Sequence, residues 1–151
     1  MQTSATGSTD VFDLKLAYAI LRVTLGVDML MHGGVRILGG INVFAAGMVQ
    51  QFAQTPLPAP FVRAFGLTLP FIELTIGLLV LLGVATRWAL AAGGLLMVPL
   101  VFGTSLRSDW NMVMLQMVYA LIFYVLLARR GDDAFTVGSL FGSRRAVDYR
   151  R

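Results

Sequence analysis

Residues 64–85 read AFGLTLPFIELTIGLLVLLGVA, an apolar run with a single charge, Glu73, near its middle. A helix of about 20 apolar residues crosses the hydrocarbon core of a bilayer. Three more runs of that kind flank it: residues 14–31, LKLAYAILRVTLGVDMLM; residues 88–106, WALAAGGLLMVPLVFGTSL; and residues 112–128, MVMLQMVYALIFYVLLA. The first carries Arg22 and Asp28 and leads into His32 and Arg36. An ionised side chain at bilayer depth costs a few kcal/mol, so such groups face the bundle interior, pair with one another and mark candidate functional sites. The expected fold is all-α: a four-transmembrane-helix bundle.

Composition supports this reading. The chain is 57% hydrophobic and 13% charged, whereas soluble domains are about 25% charged. The run at 88–106 has no polar face, which a helix of a soluble bundle needs. The chain has no cysteine, which excludes thiol redox chemistry, cysteine-ligated iron–sulfur clusters and c-type haem attachment within it. It has one histidine, His32, so one copy cannot supply two histidines to a haem. No flavin or nucleotide glycine motif is present, and no metal-ligand spacing. The start, MQTSATGSTD, lacks the basic residues of a signal peptide, so the first span is expected to remain in the mature protein.

Four spans place both termini on one side, with Arg87, Arg129, Arg130 and the arginines of the tail. The positive-inside rule makes that side the cytoplasm. A basic segment beside a span reads as a topology signal or an anionic-lipid contact rather than a nucleic-acid arm. The chain then divides into a polar tail (1–13), a membrane domain (14–130; helices about 14–32, 64–85, 88–106 and 110–128) and a basic cytoplasmic tail (131–151). Gly33, Gly34, Gly39 and Gly40 are expected to break regular structure after the first span. Residues 42–54, NVFAAGMVQQFAQ, form a short amphipathic interfacial segment. Pro56, Pro58 and Pro60 stiffen the link to the second span, and Asp109 suits a helix N-cap. Trp88 and Trp110 suit interface anchors, and the methionines suit packing or lipid contact.

At 100° per residue, Arg22, Asp28, His32 and Arg36 share one arc of the first helix, and side chains four apart can touch. Gly66 and Gly77 share the stripe of Glu73, and Gln116 and Tyr119 share a face of the last helix. In the simplest pairing Glu73 balances Arg22 and Asp28 neutralises His32 or Arg36, although Arg22 can equally reach Asp28 on its own helix. Two readings stay open. The pairs can do no more than fix packing and register. Alternatively they line a pocket, with His32, Arg36 and Glu73 as catalytic candidates and Arg22, Asp28, Gln116 and Tyr119 as binding residues for a quinone carbonyl or another small polar ligand. Histidine suits proton exchange near neutral pH.

The order and spacing of several motifs carry a family resemblance. These are Arg22-x-x-x-Gly26, His32-Gly33-x-x-Arg36, PLPAPF before the second helix, FIELTIGLLVLLGVATRWA with Glu73, Gly77, Gly83, Thr86 and Arg87, and the C-terminal DWNMVMLQMVYALIFYVLLA followed by AFTVGSLFG. The chain resembles the DoxX/DoxD family of small four-helix membrane proteins, whose basic residue at the place of Arg36 is often lysine. The resemblance implies a prokaryotic inner-membrane subunit of a quinone-linked oxidoreductase, with thiosulfate:quinone oxidoreductase as the named activity, quinone as electron acceptor and a DoxA-like partner. A non-catalytic membrane anchor or assembly factor for a soluble redox partner is the alternative, with the glycines of the second and third spans forming a partner or homo-oligomer interface. A small solute carrier or channel ranks third.

Overall fold

The computed structural model describes residues 6–136, and all regular structure among them is helical. Five α-helices follow one another: α1 (Thr6–Leu38), α2 (Ile41–Gln51), α3 (Ala59–Leu82), α4 (Thr86–Leu106) and α5 (Trp110–Ala128), with a 3-10 turn at Arg130–Asp132. Three of them, α3, α4 and α5, are long and apolar enough to cross a membrane. Helix α1, expected as the first of four spans, is not among the three. It has the length, but Arg22, Asp28 and Arg36 interrupt its apolar sequence.

Helix α1 starts earlier and ends later than residues 14–32. It takes in residues expected to form a polar tail, and it runs through Gly33 and Gly34 to Leu38. A helical glycine costs about 1 kcal/mol relative to alanine, and close packing on α3 offsets that at Gly33. The break comes at Gly39–Gly40, where Gly40 has φ 99°. Helix α3 also starts early, at Ala59, with Pro58 as N-cap and Pro60 in its first turn, where a missing N–H costs nothing. The segment expected at 42–54 is α2, and Asp109 caps α5 by accepting from the Met112 N–H at 3.2 Å. Most of the basic tail and the end of the AFTVGSLF stretch lie outside the described residues.

Helices α1 and α3 are antiparallel and meet backbone to backbone. A Cβ on Gly26 would lie 2.7 Å from the Leu81 nitrogen, one on Gly33 2.6 Å from the Leu74 nitrogen, and one on Gly77 2.8 Å from the Leu30 Cα. Small residues allow such approach between membrane helices, where dispersion and hydrogen bonds replace the hydrophobic drive. Helix α2 packs on α3, where Gly66 faces Ala45 and Met48, and α5 packs on α4, where Gly93 receives the Phe123 ring. The glycines of α3 and α4, expected at a partner interface, are thus used inside the chain. Many of the side chains facing outward are apolar. Ile20, Val23, Val27, Met31 and Val35 form an exposed stripe on α1, and Met114, Val118, Leu121 and Tyr124 are exposed on α5. Trp88 and Trp110 are exposed at opposite ends of the bundle.

Arg22 occupies the end of the bundle that holds the α3–α4 turn. It is 2% exposed. Its Nη1 donates to the carbonyls of Val80 (2.5 Å) and Leu81 (2.9 Å), and Nη2 donates to the Phe135 carbonyl (2.5 Å). Its Nε lies 3.3 Å from Asp133 Oδ1. The last carbonyls of a helix lack intrahelical donors and favour a cation. Arg22 therefore caps α3 and ties down the segment that follows α5.

Two predictions follow the packing. Gly33→Ala forces a Cβ into the α3 backbone and is expected to destabilise by about 1–3 kcal/mol. Gly34→Ala meets only Leu74 Cδ1, at 3.8 Å, and is expected to leave the melting temperature unchanged or raised. Melting of both variants in detergent, followed by size-exclusion chromatography, checks the contrast. Arg22→Ala is expected to speed amide exchange of residues 130–136 selectively, as read by hydrogen-exchange mass spectrometry.

Candidate functional site

In the C-terminal half of α1, Asp28, His32 and Arg36 project at successive four-residue steps toward α3 and α5. Tyr119 donates its hydroxyl proton to Asp28 Oδ2 at 2.6 Å, joining α5 to α1. His32 Nδ1 lies 3.0 Å from the Asp28 carbonyl oxygen and 3.4 Å from Asp28 Oδ2. Its ring meets Tyr119 edge to face, with centroids 6.2 Å apart. Arg36 donates from Nη1 to Glu73 Oε2. Glu73 is buried at 4% exposure, so removing either partner would strand a charge. The Arg36 guanidinium also lies over the Phe44 ring of α2, 4.8 Å from its centroid. One turn before Tyr119, Gln116 accepts from Thr104 Oγ1 at 2.7 Å. That bond leaves the amide donors of Gln116 without a partner among the described residues.

His32, Arg36, Glu73, Gln116 and Tyr119 line one chamber of about 260 Å³, with Met29, Met97 and Met112 also on its wall. Asp28 is not on this wall but is joined to it through Tyr119 and His32, and of the sequence-predicted residues Arg22 alone lies apart. Arg22 lies about 15 Å along α1 from His32 and pairs with neither Glu73 nor Asp28. Glu73 takes Arg36 instead, and Arg22 takes Asp133. The reason is register. With Gly26 on Leu81 and Gly33 on Leu74, the antiparallel helices place Arg22 past Val80 and bring Arg36 down to Glu73.

Both carboxylates, Asp28 and Glu73, already accept hydrogen bonds. The groups still open include donors, namely a His32 ring nitrogen, the other N–H groups of Arg36 and the Gln116 amide, beside the second oxygen of Glu73. Such a site suits a ligand with acceptor oxygens. No group of three or more His, Cys, Asp or Glu side chains gathers as a metal set among the described residues.

A second chamber of about 450 Å³ adjoins the first and shares Arg36, Leu100, Met112 and Gln116 with it. Its wall includes Phe44, Gly47, Met48 and Gln51 of α2, together with Thr104 and Arg107 of the α4 end. The sequence reading missed these residues. Their signal was the helical spacing of 44, 47, 48 and 51, one face of α2. Arg107 lies over the Phe52 ring at 5.3 Å and 3.8 Å from Asp109 Oδ2.

The chain belongs to the DoxX family, whose model matches residues 17–105, and it is a membrane protein. The match runs from α1 through nearly all of α4, so it covers Asp28, His32, Arg36 and Glu73 but leaves Gln116 and Tyr119 of α5 outside. No curated protein and no solved structure matches the chain.

The site's own test is a double-mutant cycle. Arg36→Ala is expected to destabilise by about 3–5 kcal/mol, because it leaves the buried Glu73 without its partner, and Glu73→Ala by less, because Arg36 is 27% exposed. The double variant is expected to cost less than the sum, and thermal melting in one detergent measures the difference.

Proposed function

We propose that this DoxX-family chain is a quinone-binding membrane subunit of an oxidoreductase. One observation carries the reading: His32, Arg36 and Gln116 bring hydrogen-bond donors together on the wall of one chamber. A bound quinone supplies a two-electron, two-proton acceptor. His32, Arg36 and Gln116 bind its carbonyl oxygens by donating hydrogen bonds. Asp28 and Tyr119 orient the His32 ring, so that the imidazole can pass a proton to a ligand oxygen. Glu73 holds Arg36 in place. Thiosulfate is the proposed reductant on the strength of the DoxD likeness, with its electrons arriving through a DoxA-like partner.

In this reading α1 crosses the membrane with α3, α4 and α5, making four spans. Its outward stripe is apolar, and its charges are satisfied against α3, α5 and the segment after α5. Both termini lie in the cytoplasm of a prokaryotic cell, beside Arg87, Arg129 and Arg130, and the chamber lies toward the opposite face. A second reading, a non-catalytic anchor for a soluble redox partner, is favoured by the internal satisfaction of both carboxylates, as a structural polar core requires.

Thiosulfate-dependent reduction of a soluble quinone analogue, measured on the detergent-purified chain with its copurifying proteins, separates the two. His32→Ala is expected to lower turnover about 100-fold, the size of a lost proton-transfer group, with expression and melting unchanged. Unchanged turnover in both His32→Ala and Arg36→Ala would overturn the site.

A further inference from the structure

The larger chamber is not needed for the head-group chemistry, and one residue on its wall is out of character. Glycine weakens a helix interior relative to alanine. Most other helical glycines among the described residues have a neighbour that uses the room: Gly26, Gly33 and Gly77 at the α1–α3 crossing, Gly66 against α2 and Gly93 under the Phe123 ring. Gly47, in the middle of α2, faces nothing within 4 Å, and its φ is not positive. Neither packing nor backbone conformation calls for glycine there. It does line the 450 Å³ chamber, a volume within the range of small-molecule sites.

The rest of the wall indicates what fits. Phe44, Met48, Phe65, Leu69 and Pro99 make it apolar. An unfilled apolar space forfeits packing, whereas an apolar guest restores it. The two chambers share Arg36 and Gln116. Arg36 and Arg107 are both on the wall of the larger one, each guanidinium over a phenylalanine ring of α2 or the residue that ends it. Arg36 and Gln116, where the two chambers meet, set a cation and an amide donor beside an apolar space, which complements an oxygen-bearing head group on a hydrocarbon chain.

We infer that the two chambers form one site for a long-chain amphiphile, with the head group in the polar chamber, the chain under α2, and Gly47 leaving room for the chain. The inference rests on the proposed function only for the identity of the head group. A prenylated quinone and an acyl lipid share the required chemistry, and the test separates them.

The full chain in nanodiscs is titrated with a quinone bearing one isoprene unit and with the same ring bearing a long isoprenoid chain. A photoreactive diazirine fatty acid is tested in parallel. The wild type is expected to hold the long-chain quinone at least about 10-fold more tightly, a difference of about 1.4 kcal/mol. Gly47→Phe is expected to abolish that preference while binding the short quinone as before. Gly47→Leu reads the same effect if the phenylalanine variant does not fold. A preference that persists in the folded variant overturns the chamber, as does the lack of any preference in the wild type. If neither quinone binds, but the fatty acid labels α2 in the wild type and not in the variant, the chain site stands and the quinone reading fails. No labelling and no quinone binding overturns both.

Discussion

Everything in this bundle depends on how closely α1 and α3 approach. Glycine at 26, 33 and 77 lets the two backbones touch and fixes one antiparallel register. That register puts each arginine of α1 against a specific part of α3. Arg36 meets the carboxylate of Glu73, and Arg22 meets the carbonyls that end the helix. Neither charge would be tolerable in an apolar bundle without its partner. The packing and the electrostatics are therefore one device. A residue that pushed the helices apart would lengthen both contacts at once.

The two arginines illustrate how one residue type serves the interior and the end of one helix, α3. Arg36 joins a salt bridge that forms part of a chamber wall. Arg22 uses its planar fork on backbone oxygens, a role in which lysine is a poor substitute. It also holds the segment after α5 through Phe135 and Asp133, so the end of the described chain is fastened to its first helix.

Much of this was legible in the sequence. The apolar runs gave α3, α4 and α5, and helical periodicity placed Asp28, His32 and Arg36 on one face of α1 and Gln116 with Tyr119 on one face of α5. Those residues do meet. The partner of Glu73 was not legible, because periodicity tells which face a residue occupies but not how far one helix slides along another. The extent of α1 was misjudged because four glycines look like breakers, whereas Gly33 is spent on contact with α3 and only Gly40 turns the chain. The chamber under α2 was missed because a short segment between spans reads as a surface element, and its inward stripe has meaning only once α3 and α4 are set beneath it.

The Arg36–Glu73 pair has a consequence for the reach of the site. A cation bound to an anion projects a dipole rather than a net charge, and its potential decays faster with distance than that of either ion alone. Such a pair draws few ions from afar. It acts on molecules already beside it, through direction rather than attraction, and favours those whose own bond dipoles can align with it. The Arg36–Glu73 pair therefore favours the alignment of a neighbouring dipole over the long-range capture of an ion.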